Sequence, residues 1–222
     1  MDTHPRTTAD RGNASFFGRI TASSTHELSN VVAIIRELSG LMGDLLAGAA
    51  GNGVVNVEKF QSIVGKIEEQ TVRGNTIIKR LNRFAHSADV PVVTVKLNDI
   101  LTDITDFSRR FAVMKNIELE TQLPADSPEI GTNPFLLMRA VFTCIDISIS
   151  SSDTDARIVI GCEKKDTGAQ IYVTGPCINI AEQHSEKNEL IDVLMKEING
   201  AFGVESQGTN SQRCLIDIQS LI

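Results

Sequence analysis

Apolar side chains recur every seven residues along positions 25–46, THELSNVVAIIRELSGLMGDLL. Leu28, Ile35 and Met42 form one series; Val31, Leu38 and Leu45 form another, three positions on. These are the a and d places of a heptad, so the spacing predicts a helix buried along one seam. Phe16, Phe17 and Ile20 extend its apolar face, which places the helix over about residues 15–46. Gly51-Asn52-Gly53 then interrupts the pattern. A nucleotide-binding glycine loop requires a preceding strand, and here a helix precedes, so residues 47–56 read as a turn between helices. A second helix is predicted over 57–88, with Phe60, Ile67, Gly74 and Leu81 in one series and Val64, Thr71, Ile78 and Ala85 in the other. Two long amphipathic helices joined by a short turn make an antiparallel hairpin. A lone hairpin leaves a seam uncovered, and the economical solution is a four-helix bundle built by a homodimer.

Past Asp89-Val90-Pro91 the pattern shifts to short alternating elements. VVTVKL and IELETQL read as strands, and Asn98 is the expected cap of a helix reaching about residue 113. Asn133-Pro134 pairs a cap with a first-turn proline, opening a helix to about residue 148. RIVIGCEK and AQIYVTG are strands joined by the turn around Asp166-Thr167-Gly168. A helix over 186–199 ends at Gly200, and RCLIDIQSL closes the chain as a strand. The expected class is α+β, with helices on one side of a mixed sheet. Residues 1–14 read as a disordered tail, 15–89 as a dimerisation hairpin and 90–222 as the α/β domain.

Composition narrows the function. With 222 residues and 41% apolar content the chain fills one large core or two small ones. A net charge of −7 argues against a nucleic-acid partner and against a polybasic membrane anchor. Cys144, Cys162, Cys177 and Cys214 lack CxxC spacing and read as reduced, buried thiols. The cysteines and histidines show no ligand spacing, so no metal site is expected. The polar start lacks the apolar run of a signal peptide, and no run reaches the ~18 residues of a membrane span. The expected location is the cytoplasm.

Candidate chemistry begins with His26. With Leu28 at a, this residue falls at heptad position f, furthest from the seam, with Glu27 beside it and Asn30 one turn along. The run His26-Glu27-Leu28-Ser29-Asn30 resembles the H-box of bacterial sensor histidine kinases, and the resemblance continues through RLNRFAHSADVPVVTVKLNDIL and NIELETQLP over about residues 15–220. It implies a dimeric helical hairpin followed by a Bergerat-like α/β sandwich. It further implies that His26 is the phosphoacceptor, Glu27 its hydrogen-bond partner, and Asn30 a residue that orients water for phosphatase action.

The departures bear on the nucleotide. LLMRAVFTCIDISIS is similar to the kinase N-box, but Thr143 and Ile147 stand at the places of its asparagines. VTGPCI, residues 173–178, resembles the adenine-reading box, with Val173 in place of the aspartate and Cys177 in place of a glycine. The glycine-rich phosphate segment is reduced to NELIDVL, residues 188–194. Isoleucine cannot coordinate Mg²⁺ and valine offers adenine no acceptor. The combination of a retained histidine and a degenerate ATP site resembles the dimeric histidine phosphotransferases of bacterial phosphorelays. It implies no cofactor on this chain, with Mg²⁺ carried by a partner receiver domain of a response regulator. Docking is expected on the outer side of the first helix at Ala22, Ser23, Ser29, Ala33 and Glu37. The alternatives are a non-catalytic pseudokinase scaffold, a divergent ATP-dependent histidine kinase and a receiver phosphatase.

Overall fold

A computed structural model describes residues 8–52, 56–176, 185–207 and 211–221. The chain divides into two compact units, Met1–Arg83 and Phe84–Ile222.

The first unit is built on α1 (Thr8–Asn52) and α2 (Val57–Ser87), the end of α2 belonging to the second unit. The first helix begins inside the stretch read above as a tail, and it continues through Ala47–Ala50 to Asn52, inside the Gly51-Asn52-Gly53 run. Asn56 opens α2, its Oδ1 accepting the Lys59 N–H at 2.9 Å. A Cβ placed on Gly74 would lie 3.3 Å from Val31 Cγ1. Val31 and Gly74 stand at similar distances along the chain from the turn, as antiparallel packing requires. The missing side chain at Gly74 lets the two helices come close there, and this orients α2. Ile63 and Ile77 are buried on the same face of α2 as Gly74, whereas Thr71 and Ile78, assigned above to the seam, are exposed. Leu28, Ile35, Met42, Leu38 and Leu45 are only half-buried within the single chain.

The second unit contains, in order, β1 (Val93–Lys96), α3 (Leu97–Val113), β2 (Glu118–Gln122), β3 (Glu129–Thr132) and α4 (Pro134–Ser151). Then come β4 (Arg157–Lys165), β5 (Gly168–Gly175), α5 (Ser185–Glu197), β6 (Gly200–Ser206) and β7 (Gln212–Gln219). β1 and β3 form a small antiparallel pair; the main sheet has the order β2-β4-β5-β7-β6. Among the described strands only β2 and β4 pair in parallel, so the sheet is mixed as expected. Period-two alternation gives it one wholly apolar face: Ile158, Ile160 and Cys162 on β4, Ala169, Ile171 and Val173 on β5, Cys214, Ile216 and Ile218 on β7. Helices α3, α4 and α5 lie in one layer, with α3 and α4 on the sheet and α5 against α4 and β6. Phe84 joins this core, edge-on to Phe107 and tilted against Phe135.

The core helix α4 begins at the expected cap, Asn133 Oδ1 accepting the Leu136 N–H at 3.0 Å, with Pro134 in the first turn. It is the one helix among the described residues with the length and hydropathy of a membrane span, and 78% of it is buried within the fold. Its last turn carries no basic residue, and Lys115 supplies one from just past α3, its Nζ 2.9 Å from the Ile149 carbonyl and 3.1 Å from that of Ser150. The cap of α3 differs from expectation. Lys96 occupies that place without a side-chain bond, and Ser127 Oγ accepts the Asn98 N–H at 3.1 Å from a distant loop. Asn98 instead donates through its amide to the Pro124 carbonyl at 2.8 Å. On the open sheet face Tyr172 lies over Gly161, where an added Cβ would strike the ring. Arg213 stacks on Tyr172 at 4.7 Å and donates from Nε to Thr174 Oγ1 at 2.9 Å.

Candidate functional site

His26 is exposed on α1, as its heptad position requires. The neighbouring hydroxyls are turned back onto the helix: Thr25 Oγ1 donates to the Thr21 carbonyl and Ser29 Oγ to that of Thr25, each at 2.9 Å. Asn30, also exposed, brings its Nδ2 to 3.5 Å from His26 Nδ1. Glu27 is half-buried and has no hydrogen bond to the ring among the described residues. Helix geometry explains the choice. Residues four apart stack on one face, whereas adjacent ones diverge by about 100°. The structure thus brings Asn30, rather than Glu27, against the imidazole.

One turn beyond His26, Ser29, Val32, Ala33, Arg36 and Glu37 line a shallow open depression of about 510 Å³. Ser29, Ala33 and Glu37 were expected here from their place on the helix. Val32, 63% exposed, and Arg36 were not, although both lie within a turn of Ser29 and Ala33. Ala22 is exposed on the other side of His26. Ser23 is the correction: it is only 1% exposed, because it shares the stripe that carries Phe16, Ile20 and Val31, and it offers no docking surface.

The positions aligned with the nucleotide motifs sit in the second unit. Ile147 on α4 is 0% exposed, and Val173 on β5 is 1% exposed between Ile160 and Cys214. Thr143 donates its hydroxyl to the Arg139 carbonyl in its own helix at 2.8 Å. Cys177 lies outside the described residues. The segment 188–194 is part of α5, which buries Ile191 and Leu194 and packs on α4. Lys187 Nζ holds Asp146 Oδ2 at 2.6 Å across that contact. The side chains at these positions do not suit Mg²⁺-ATP: Ile147 has no oxygen ligand, Thr143 is buried with its hydroxyl turned onto its own helix, and Val173 has no acceptor for adenine. The thiols nearby are structural. A hydrogen bond donated by the Cys144 thiol to Cys214, and then burial, push Cys144 well above the ordinary thiol range, and burial pushes Cys162 to about 11.

No family model and no curated protein matches the sequence. Solved structures do. The nucleotide-free catalytic domain of histidine kinase ThkA is 11% identical, with a TM-score of 0.53 covering 59% of this chain and 98% of that domain. The ATP-binding domain of PrrB from Mycobacterium tuberculosis is 14% identical, with a TM-score of 0.51 over 60% of this chain and all of that one. Acinetobacter baumannii histidine kinase AdeS, 12% identical at a TM-score of 0.50, covers 84% of this chain and 97% of its own, more of the chain than the second unit holds. The chain therefore has a histidine-kinase-like α/β ATP-binding fold, at identities that speak for the fold alone.

Proposed function

We propose that the chain is a histidine phosphotransferase of a two-component phosphorelay, working in the cytoplasm as a homodimer and passing phosphoryl groups between receiver-domain aspartates and His26 without binding ATP. The observation that carries this reading is the contrast between an exposed imidazole and a kinase-like fold whose nucleotide positions hold buried Ile147 and Val173. Phosphoryl transfer asks mainly for in-line placement and neutralised charge. The unprotonated ring nitrogen of His26 attacks phosphorus, a P–N bond forms, and the P–O bond to the donor aspartate breaks with its electron pair leaving on the carboxylate. The reverse sequence on a second receiver completes the relay. Both receivers carry their own divalent cation, so this chain supplies the nucleophile and a docking face. That face is the depression at Ser29, Val32, Ala33, Arg36 and Glu37, where small residues admit a partner helix and Arg36 and Glu37 supply charge of both signs.

The test is transfer from a panel of phosphorylated receivers to the full chain. His26→Ala is expected to abolish labelling while changing stability by no more than about 0.5 kcal/mol, as for an exposed site. Labelling of the intact chain by ATP and Mg²⁺ alone identifies a divergent kinase instead. A biological effect that survives His26→Ala identifies a scaffold.

A further inference from the structure

The contact between Asn30 and His26 sets which ring nitrogen is free to react. In the structure the amide nitrogen of Asn30 faces Nδ1 at 3.5 Å. An amide N–H is only a donor, so Nδ1 must present its lone pair and the ring proton resides on Nε2. Nε2 is the outer nitrogen, the one a partner reaches, and in this tautomer its lone pair belongs to the aromatic system. At Nε2 the ring as placed is not yet a nucleophile. Turning the Asn30 amide over about its last torsion, which is soft and roughly two-fold, puts Oδ1 where Nδ2 was. Solvent water takes the proton from Nε2 and returns one to Nδ1; the oxygen then accepts Nδ1–H, and Nε2 carries an in-plane lone pair.

We infer that Asn30 is a positioning residue that holds His26 in the unreactive tautomer at rest and turns its amide to the reactive one when a phosphoryl group arrives. The inference rests on His26 being the phosphoacceptor. The driving force is chemical: phosphoryl oxygens are strong hydrogen-bond acceptors that draw the amide N–H₂ outward, and the same rotation sets Oδ1 against Nδ1, where it favours the proton that water relays there. In the step that follows, Nε2 forms the P–N bond, the donor's bond to phosphorus breaks onto the leaving group, and the Nδ1 proton passes to water. His26 and Asn30 are both exposed with no other partner among the described residues, so nothing else in the fold fixes the tautomer.

Long-range ¹H–¹⁵N spectra of the full chain, with the His26 signals assigned by His26→Ala, report the tautomer directly. The wild-type chain is expected to favour Nε2–H about three- to tenfold more than Asn30→Leu, a near-isosteric variant with no polar atoms. Asn30→Asp, an acceptor only, is expected to reverse the preference to Nδ1–H. Phosphoramidate supplies a kinetic arm that needs no receiver, since attack on its phosphorus releases ammonia. Oδ1 meets a ring that turns positive as the P–N bond forms, and this charge-assisted bond outweighs the neutral resting one, so Asn30→Leu is expected to label about three- to tenfold more slowly at an unchanged unfolding midpoint. Equal tautomer ratios in wild type and Asn30→Leu, or equal labelling rates, overturn the inference and leave the relay reading standing. A clear tautomer bias in a chain that no receiver phosphorylates overturns the relay reading and leaves the positioning role of Asn30 intact.

Discussion

At the scale of single residues, the hairpin depends on an absence at Gly74. The space its side chain would occupy is already within 3.3 Å of Val31 Cγ1. Gly74→Leu is expected to destabilise the first unit by about 1–3 kcal/mol through overpacking, read as a lower urea midpoint in far-UV circular dichroism. In the second unit the buried acids set the alkaline limit. Burial pushes Cys162 up to about 11 from an ordinary value of 9.0. Cys144 moves the same way through Cys214 and burial, and Tyr172 through burial and Glu163. A raised folded-state value means that the unfolded chain gives up its proton first. The stabilising contribution is complete below the ordinary thiol range and is lost as the pH rises through about 11. Denaturation midpoints are therefore expected to hold steady up to about pH 8 and fall between pH 9 and 11, with a smaller fall in Cys162→Ala.

At the scale of elements, α4 is the central piece, and its C-terminal end is secured from outside. Lys115 reaches two of its last carbonyls, an end that otherwise has no positive charge. Lys115→Met keeps the aliphatic stem and is expected to cost about 1 kcal/mol, measured by chemical denaturation. Elements with strong local signals were legible in the sequence. The heptads gave both long helices, Asn133-Pro134 gave the start of α4, and alternation gave β4, β5 and β7. β3 and β6 were not legible, because Gly131 and Gly200 with Gly203 interrupt the apolar alternation that marks a strand. The capping of α3 by Ser127 was equally hidden, since a bond across 29 residues leaves no local trace. At the candidate site, the exposure of His26 followed from its heptad position. The burial of Ser23 did not, because the stripe drifts around the helix between Ile20 and Val31, a drift expected of a 3.6-residue helix against a seven-residue repeat.

At the scale of the whole molecule, the half-buried heptad residues of α1 and the exposed Ile78 and Val72 of α2 leave apolar surface that a single chain does not cover. Ile78 is 46% exposed, and it belongs to the series that the hairpin's own seam does not use. On the proposed reading of a homodimer that is phosphorylated at His26, Ile78→Lys is expected to shift the chain from dimer to monomer in sedimentation velocity and to lower labelling of His26 without altering the second unit. The single tyrosine bears on how such changes are followed. The chain has one Tyr and no Trp, and Tyr172 is anchored in the sheet between Gly161 and Arg213. Ultraviolet emission from this protein therefore reports one half of the molecule only. Melting of the helical rods is silent at that wavelength and is carried by the amide bands instead, so the two signals form a built-in pair of probes for whether the halves come apart together or in turn.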